Sequence, residues 1–170
     1  MPKILIFGNS GSGKSTLAKK LASEHKCEHL DLDILAWRQT MPPERSDIKE
    51  VSKKLTIFFD KNSDWIIEGC YSDIICLATK HASEVIFMNL SIEDCIENAK
   101  NRPWEKHKYE SKLAQDKNLP MLIDWIKNYN NREDDFSFTS HNHVFETFPG
   151  NKKMINKNSS LTPVLNINKK

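Results

Sequence analysis

The chain has 170 residues, 38% hydrophobic and 28% charged, with a formal net charge of +2. This predicts a single globular domain, and it does not favour a dedicated duplex-DNA binder, although nucleic acid stays open as a partner. No apolar run approaches the roughly 20 residues that span a bilayer, no signal-peptide pattern is visible and the four cysteines form no C-x-x-C pair, so we expect a cytoplasmic protein without membrane contact.

The first predicted element is a buried strand, "KILIF", which a glycine-rich loop and a helix follow. The loop "GNSGSGKS" fits the pattern G-x-x-x-x-G-K-[ST] through Gly8, Gly13, Lys14 and Ser15. Apolar residues then recur at helical spacing in "KSTLAKKLASEHK". A strand, a loop and a helix in this order predict a phosphate-binding P-loop. The alternative is a turn rich in glycine and serine that binds nothing, and such a turn would not need a strand before it and a helix after it.

The residue types of this loop suit a triphosphate. Glycine lets several backbone N–H groups point inward at once, and the following helix adds its N-terminal dipole. We expect Lys14 to reach the β- and γ-phosphates and Ser15 to ligate Mg²⁺, so ATP and Mg²⁺ are the predicted cofactors. The predicted nucleotide-binding residues are Gly8, Asn9, Ser10, Gly11, Ser12, Gly13, Lys14, Ser15 and Thr16.

Short apolar strands alternate with helices along the rest of the chain. Strands are predicted at "EHLDLDIL", "DWIIEGCY", "SEVIFMNL" and "HNHVFETF", the last followed by a turn at "PGNKK". Helices are predicted at "PPERSDIKEVSKKLTIFFDKN", at "SIEDCIENAKN" and at "LPMLIDWIKNYNNRE". The charged, weakly periodic "RPWEKHKYESKLAQDKNLP" is typical of a mobile lid. This alternation predicts an α/β fold with a parallel sheet and its function at the carboxyl ends of the strands.

Several pieces of the sequence resemble one known family. "GNSGSGKSTLAKKLA", "HLDLDILAW", "WIIEGCY", "VIFMNL" and "DWIKNYNNR" resemble the adenylate-kinase-like P-loop phosphotransferases, which include nucleoside monophosphate kinases and shikimate kinase. More narrowly, they are similar to small bacterial kinases related to adenylate kinase, also called DNA topology modulation proteins. The resemblance spans roughly residues 3–132, and "HVFETFPGNKK" extends it to about 155.

The resemblance implies an architecture. It is a P-loop NTPase fold of three α/β/α layers around a five-stranded parallel sheet, like that of nucleoside monophosphate kinases, in one domain over residues 1–170. Within it we expect an acceptor-binding helical segment at about 34–63, a small lid at about 102–118 and a polar tail at about 155–170. "FPGNKK" resembles the loop that cups the adenine in these relatives.

Arginine is scarce in this chain, with four among 25 basic residues. A guanidinium clamps phosphate oxygens bidentately and an ammonium does not, so scarce arginines are candidates for phosphoryl transfer. The resemblance makes Arg102 a lid arginine and Arg132 a second catalytic one, with surface ion pairs as the alternative. Arg38 faces the acceptor in this interpretation, whereas Arg45 is expected to be solvated.

Carboxylates supply the remaining chemistry implied by the resemblance. Asp33 orients or deprotonates the acceptor hydroxyl and touches Mg²⁺, while Asp31 is either a second magnesium partner or a strand-end cap. Glu68 would hold a magnesium-bound water, and Gly69 and Tyr71 would line the acceptor pocket, with core packing as the alternative for Tyr71. The predicted sets are Lys14, Asp33, Arg102 and Arg132 for catalysis, Ser15, Asp33 and Glu68 for the metal, and Asp33, Arg38, Gly69 and Tyr71 for the substrate.

Aromatic and histidine residues give weaker signals. Trp65 and Trp125 fall on apolar faces and are predicted to be core, whereas Trp37 and Trp104 are candidates for stacking on a ring. The H-x-H at residues 141–143 is placed at the start of the last strand and lacks the further ligands that zinc needs.

These features predict an ATP-dependent kinase of a small molecule, with nucleosides and nucleotides among the candidate acceptors. One alternative is a nucleotide-switched regulator that binds DNA or a protein partner, and another is a kinase of polynucleotide 5′-hydroxyls. The small net charge and the lack of a basic stripe favour the first hypothesis.

Overall fold

A computed structural model describes residues 1–158, in which strands and helices alternate. Most of the predicted polar tail (155–170) therefore lies outside the described residues. In chain order the elements are β1 (Lys3–Gly8), α1 (Lys14–His25), β2 (Glu28–Asp31), α2 (Asp33–Ala36), β3 (Trp37–Arg38), β4 (Glu44–Arg45), α3 (Ile48–Lys61), β5 (Trp65–Gly69), α4 (Ser72–Thr79), β6 (Glu84–Met88), α5 (Ile92–Lys100), α6 (Lys112–Lys127), α7 (Phe138–Thr147) and β7 (Asn151–Ile155).

The main sheet has five strands in the order β2-β5-β1-β6-β7, and every neighbouring pair is parallel. The central strand β1 is buried almost throughout, as its continuous apolar run predicts. The prediction of a five-stranded parallel α/β fold is thus confirmed. β3 and β4 form a separate antiparallel pair at residues 37–45.

Helices cover both faces of the sheet and create two cores. Alternate residues of β1 point to opposite sides, so that Leu5 and Phe7 pack against α3, α4 and α7 whereas Ile4 and Ile6 pack against α1, α5 and α6. Each fully buried aliphatic or aromatic side chain contributes roughly 1.5–3 kcal/mol to folding. This arrangement confirms the predicted three α/β/α layers.

Two predictions for the end of the chain are wrong. "HNHVFETF" lies in helix α7, not in a strand, and the last strand is instead "NKKMI". The buried positions of α7, His141 and Val144, are three residues apart as on a helix face, and Ser137 caps the helix by accepting from the Ser140 amide. β7 is an edge strand, and exposed lysines are common on such strands.

The prediction that "FPGNKK" forms the adenine loop after the last strand is wrong as well. This segment precedes β7, and Asn151 pairs with Glu84 at the amino end of β6. The P-loop follows the carboxyl end of β1, which is the opposite edge of the sheet. Residues 148–153 therefore lie too far from the phosphate-binding loop to hold an adenine, and the Lys152 ammonium instead donates to the Glu146 carbonyl.

Three element boundaries also differ from the predictions. Strand β2 ends at Asp31, and Asp33 opens the short helix α2. Helix α3 begins at Ile48, after an Asp47 cap, so Pro43 and Glu44 do not open it. Helix α6 begins at Lys112, within the predicted lid (102–118), and carries Pro120 in its interior.

In the part of the chain that the structure describes, no helix has both the length and the apolar character needed to cross a bilayer.

Candidate active site

The P-loop joins β1 to α1 and is built on three glycines with positive φ, namely Gly8, Gly11 and Gly13. A Cβ at Gly8 would collide with the Met88 carbonyl oxygen, and one at Gly11 with the Cys95 carbonyl oxygen. Glycine is required at these two positions both by the backbone conformation and by the close approach of neighbouring backbone. The loop is therefore wrapped tightly against β6 and α5.

Polar groups inside the loop are arranged for a ligand with many acceptors. The Lys14 ammonium donates to the Asn9 carbonyl at 2.8 Å, and the Asn9 amide donates to the Ile126 carbonyl at 3.2 Å. The Ser12 hydroxyl is buried and has no hydrogen-bond partner among the described residues. Because a buried polar group without a partner is costly, a phosphate oxygen at this point would satisfy it.

Helix α5 supports the loop through an amide pair that the sequence did not indicate. The Asn98 side chain donates to the Gly11 carbonyl at 2.8 Å and exchanges hydrogen bonds with the Asn158 side chain. This contact fixes one peptide of the loop from outside. It also brings the residues after β7 to the P-loop edge, where "FPGNKK" was expected.

Glu68 lies at the carboxyl end of β5, between Ile6 of β1 and Asp31 of β2 in the sheet register. Its carboxylate is nearly fully buried, and one oxygen lies 3.6 Å from the His29 Nε2. Burial would raise the pKa of Glu68, but contacts with His29, Lys14 and Ser15 lower it below its ordinary value. Burial and the charge of Glu68 instead raise the pKa of Asp31.

The residues present fit a hydrated Mg²⁺. Glu68 Oε1 is buried and its neighbour His29 Nε2, at 3.6 Å, lies beyond hydrogen-bond distance, while Ser15 lies close enough to influence the pKa of Glu68. A carboxylate and a hydroxyl oxygen are the donors that Mg²⁺ takes from proteins when it keeps several waters. Glu68 and Ser15 are thus candidates for the metal, directly or through water.

Asp33, which was predicted to contact the acceptor, lies at the centre of a polar cluster with Tyr71, Trp37 and Lys108. Its Oδ1 accepts from the Tyr71 hydroxyl at 2.5 Å, and that hydroxyl accepts from the Trp37 indole at 2.8 Å. Its Oδ2 lies 2.8 Å from the Lys108 ammonium. Burial would raise the pKa of Asp33, but Lys108, Tyr71 and Lys14 lower it, so the carboxylate is ionised.

Arg45, which was predicted to be solvated, instead belongs to this cluster, and its side chain is 31% exposed. Its guanidinium lies 5.0 Å from the Tyr71 ring centre and 5.5 Å from that of Phe136, and it pairs with Asp73 at 2.8 Å. Cation–π contacts of this kind stabilise by about 0.5–2 kcal/mol. The sequence pattern placed Arg45 at the polar start of a helix, but the residue lies in β4, and so its contacts with the aromatic rings were not predicted.

Arg38, rather than Arg45, was predicted to bind the substrate. Its half-exposed guanidinium pairs with the more exposed Glu50 at 3.2 Å, and Arg38 itself lies across from Glu44 in the β3–β4 pair. Gly69 lies at the end of β5, where a Cβ would press against the Leu32 side chain. Its absent side chain therefore serves packing between β5 and the start of α2.

The two arginines predicted to be catalytic have partners close to them in sequence. Arg102 donates to Glu105 at 2.8 Å, and Arg132 stacks on the Trp125 ring at 3.4 Å with Asp134 at 3.8 Å. Trp125 is 37% exposed, so the prediction that it is core is wrong, whereas Trp65 is buried as predicted. The catalytic roles of both arginines stay predictions.

His141 lies in α7 rather than at a strand start, and it is fully buried. Its Nε2 is 2.8 Å from the Cys70 carbonyl and its Nδ1 is 2.7 Å from the Tyr129 hydroxyl. Burial lowers the pKa of His141 to about 4. This histidine holds the backbone between Gly69 and Tyr71 in place, and its burial gave no signal in the sequence.

An open cleft of about 570 Å³ lies at the carboxyl ends of β6 and β7, one strand away from the P-loop strand. Asn89, Leu90, Ser91, Ile92, Asn130, Phe138 and Asn156 line it. Amide side chains beside apolar ones give a surface that suits a flat heterocycle with polar edges.

Solved structures of other proteins share this fold. A shikimate kinase from Acinetobacter baumannii, solved with shikimate, matches with a TM-score of 0.51 and 16% identity over 97% of this chain and 91% of that one. A shikimate kinase from Bacteroides thetaiotaomicron matches with a TM-score of 0.53 and 14% identity over 95% and 93% of the two chains. At these identities the likeness shows a common fold alone.

No curated protein matches this chain. A family model described as an AAA domain matches residues 4–89, just over half of the sequence. The matched range runs from β1 through the P-loop and the residues around Asp33 to the end of β6. The chain therefore belongs to the AAA domain family.

Proposed function

We propose that this protein is an ATP-dependent phosphotransferase that moves the γ-phosphoryl group of ATP to a small-molecule acceptor. The observation that carries the proposal is the convergence of two sites. Glu68 lies between Ile6 of the P-loop strand and Asp31 in the sheet register, and Lys14 lowers the pKa of both Glu68 and Asp33. A nucleotide-binding loop and a polar pocket for a second molecule thus meet at one edge of the sheet.

The nucleotide side would work through backbone and charge. The amides of residues 8–16 and the α1 N-terminus bind the phosphates, and Lys14 exchanges the Asn9 carbonyl for phosphate oxygens. Ser15 and Glu68 would hold Mg²⁺, which neutralises charge on the phosphates when bound. The cleft beside Asn89 and Asn156 is the proposed site of the base.

The acceptor side would work through Asp33. An acceptor hydroxyl that donates a hydrogen bond to this carboxylate is oriented for in-line attack, and its proton passes to an Asp33 oxygen as the new O–P bond forms. Tyr71 and Trp37 hold the carboxylate in one orientation. We also propose Arg45, held on its aromatic rings, as a contact for the acceptor in addition to Arg38.

Turnover of ATP in the presence of candidate acceptors tests this function. ADP release is measured with nucleosides, nucleotides, small hydroxy acids and DNA, each against ATP alone. Acceptor-dependent release with formation of a phosphorylated product supports the kinase. Release that only DNA stimulates, without phosphorylated product, supports the nucleotide-switched regulator instead.

Lys14→Met, with Lys19→Met as a matched control on the exposed face of α1, separates nucleotide binding from general effects. Loss of the P-loop ammonium is expected to weaken ATP binding by at least about tenfold in calorimetry, because the charge faces the ligand. Lys19→Met is expected to bind as the wild type does. Equal affinities for all three proteins would contradict the proposed nucleotide site.

A further inference from the structure

Lys108 is the point at which the segment 102–111, which connects α5 to α6, reaches the acceptor side. Its ammonium lies 2.8 Å from Asp33 Oδ2, 3.8 Å from Glu105 and 3.9 Å from Asp31. The side chain is 28% exposed, so these carboxylates surround it on the protein side. An ammonium shared among three carboxylates is bound more firmly than one in an exposed pair.

The other hydrogen bonds and ion pairs of the connecting segment (102–111) in the described chain are local. Arg102 pairs with Glu105, the Trp104 indole donates to the Tyr109 carbonyl, and the Gln115 side chain binds the backbone of residues 102–105. All of these partners lie within residues 99–118. In the described chain, the contacts of Lys108 with Asp31 and Asp33 therefore join the segment to residues outside 99–118.

Both oxygens of Asp33 are engaged in this state. Oδ1 accepts from Tyr71, which is largely buried, and Oδ2 faces Lys108. Tyr71 sits in the folded core, whereas Lys108 lies on a segment without regular structure. Of the two partners, Lys108 is the one that an incoming group can displace.

We propose that Lys108 is a positioning residue that fastens the connecting segment (102–111) over Asp33 and that an acceptor hydroxyl takes its place at Asp33 Oδ2. The first half concerns the ligand-free protein and is independent of any reaction. The second half rests on the proposed function. Binding of the acceptor thus releases the Lys108 ammonium from Asp33, which makes its charge available to the phosphoryl group as transfer proceeds.

Lys106 provides a matched control. It lies on the same segment, two residues away, and its ammonium packs 5.4 Å over the Trp104 ring rather than against a carboxylate of the acceptor side. Lys106→Met and Lys108→Met are the same substitution, and each removes one positive charge from the segment. A difference between the two variants therefore reports the contact of Lys108 with Asp33.

Amide hydrogen exchange of the ligand-free protein tests the fastening. The amides of Lys108 and Tyr109 donate to the Glu105 carbonyl and the Glu105 amide donates to the Gln115 side chain, so all three give measurable protection. They are expected to exchange several-fold faster in Lys108→Met and in Asp33→Asn, no faster in the double variant than in either single one, and as in the wild type in Lys106→Met. Unchanged exchange in Lys108→Met, additive effects in the double variant, or equal acceleration in Lys106→Met would overturn the proposal.

Steady-state kinetics test the exchange of partners. With the competing ammonium gone, Lys108→Met is expected to lower both KM for the acceptor and kcat, and Lys108→Arg to restore kcat in part. A raised KM for the acceptor in Lys108→Met would refute the displacement. If no acceptor supports turnover in the wild type, the proposed function fails, while the exchange experiment still decides whether Lys108 fastens the segment.

Discussion

The Tyr129 hydroxyl and His141 Nδ1 lie 2.7 Å apart inside the core, and the other ring nitrogen of His141 lies 2.8 Å from the Cys70 carbonyl. A carbonyl oxygen only accepts, so Nε2 carries the proton and Nδ1 accepts from Tyr129. The imidazole is therefore neutral and both of its nitrogens are used. It connects α7 and the chain after α6 to the backbone that leads into Tyr71.

This arrangement predicts acid-sensitive stability. Burial lowers the pKa of His141 to about 4 from an ordinary value of 6.5. Between these two pH values the histidine is protonated in the unfolded chain but neutral in the folded protein. The free energy of unfolding is expected to be fully retained above pH 6.5 and to fall by about 3 kcal/mol from this group as the pH drops to 4. Urea unfolding at a series of pH values measures this loss.

The control for this experiment lies on the same helix. His143 is exposed, so His143→Gln is expected to keep the pH dependence of the wild type, whereas His141→Gln should be less stable at neutral pH and lose part of the slope. Identical slopes in the wild type and His141→Gln would show that His141 is not the group responsible.

The P-loop glycines differ in what surrounds them, and this difference is measurable. Gly11 and Gly13 both have positive φ, but a Cβ at Gly11 would meet the Cys95 carbonyl oxygen, whereas the nearest atom at Gly13 is 3.8 Å away. Gly11→Ala is expected to lower the free energy of unfolding by roughly 1–3 kcal/mol more than Gly13→Ala, because only it adds a clash to the backbone strain. Denaturation of the ligand-free variants measures the difference, and equal losses would contradict the close packing against α5.

Tyr71→Phe removes the hydroxyl that joins Trp37 to Asp33 and leaves the buried ring in place. Acceptor-dependent turnover is expected to fall about tenfold, since Asp33 loses its fixed orientation, while the affinity for ATP stays unchanged. Stability should fall by about 1 kcal/mol. Tyr109→Phe, which removes a hydroxyl that accepts from Asn118, is the control and should retain turnover. A parallel fall in ATP affinity in Tyr71→Phe would place the hydroxyl in the nucleotide site.

Arg102→Lys keeps the positive charge and removes the planar fork that now binds Glu105. If the proposed catalytic role is right, kcat falls more than the affinity for ATP, because bidentate contact matters most when charge develops on the transferring group. Pre-steady-state and binding measurements separate the two quantities. Equal losses would assign Arg102 to ground-state binding.

The sequence predicted best those parts of the fold that depend on local rules. The P-loop, its strand and its helix follow from glycine geometry and from apolar spacing over residues 3–25. The strands β2, β5 and β6 and the burial of Trp65 were likewise predicted, whereas helix α4 and the β3–β4 pair were missed.

The errors arise where tertiary contacts decide. The buried side of α7 includes His141, which a hydrophobic pattern counts as polar. The helical spacing of residues 141–148 was therefore read as a strand. Because that strand was taken as the last one, β7 was missed. Lys108 meets Asp33 across 75 positions of sequence, and Arg45 meets rings from Tyr71 and Phe136. Such pairings produce no periodicity in the sequence, because the contacting residues are far apart in the chain.

The strand order separates the P-loop from the two carboxylates at the end of β2 and the start of α2. The P-loop follows the central strand β1, whereas Asp31 ends the edge strand β2 and Asp33 opens α2 directly after it, and β5 lies between the two strands. An edge strand has a neighbour on one side alone, so its loop can be remodelled without moving the centre of the sheet. Under the proposed function, substitutions around Asp31 and Asp33 can therefore change the choice of acceptor without disturbing the P-loop.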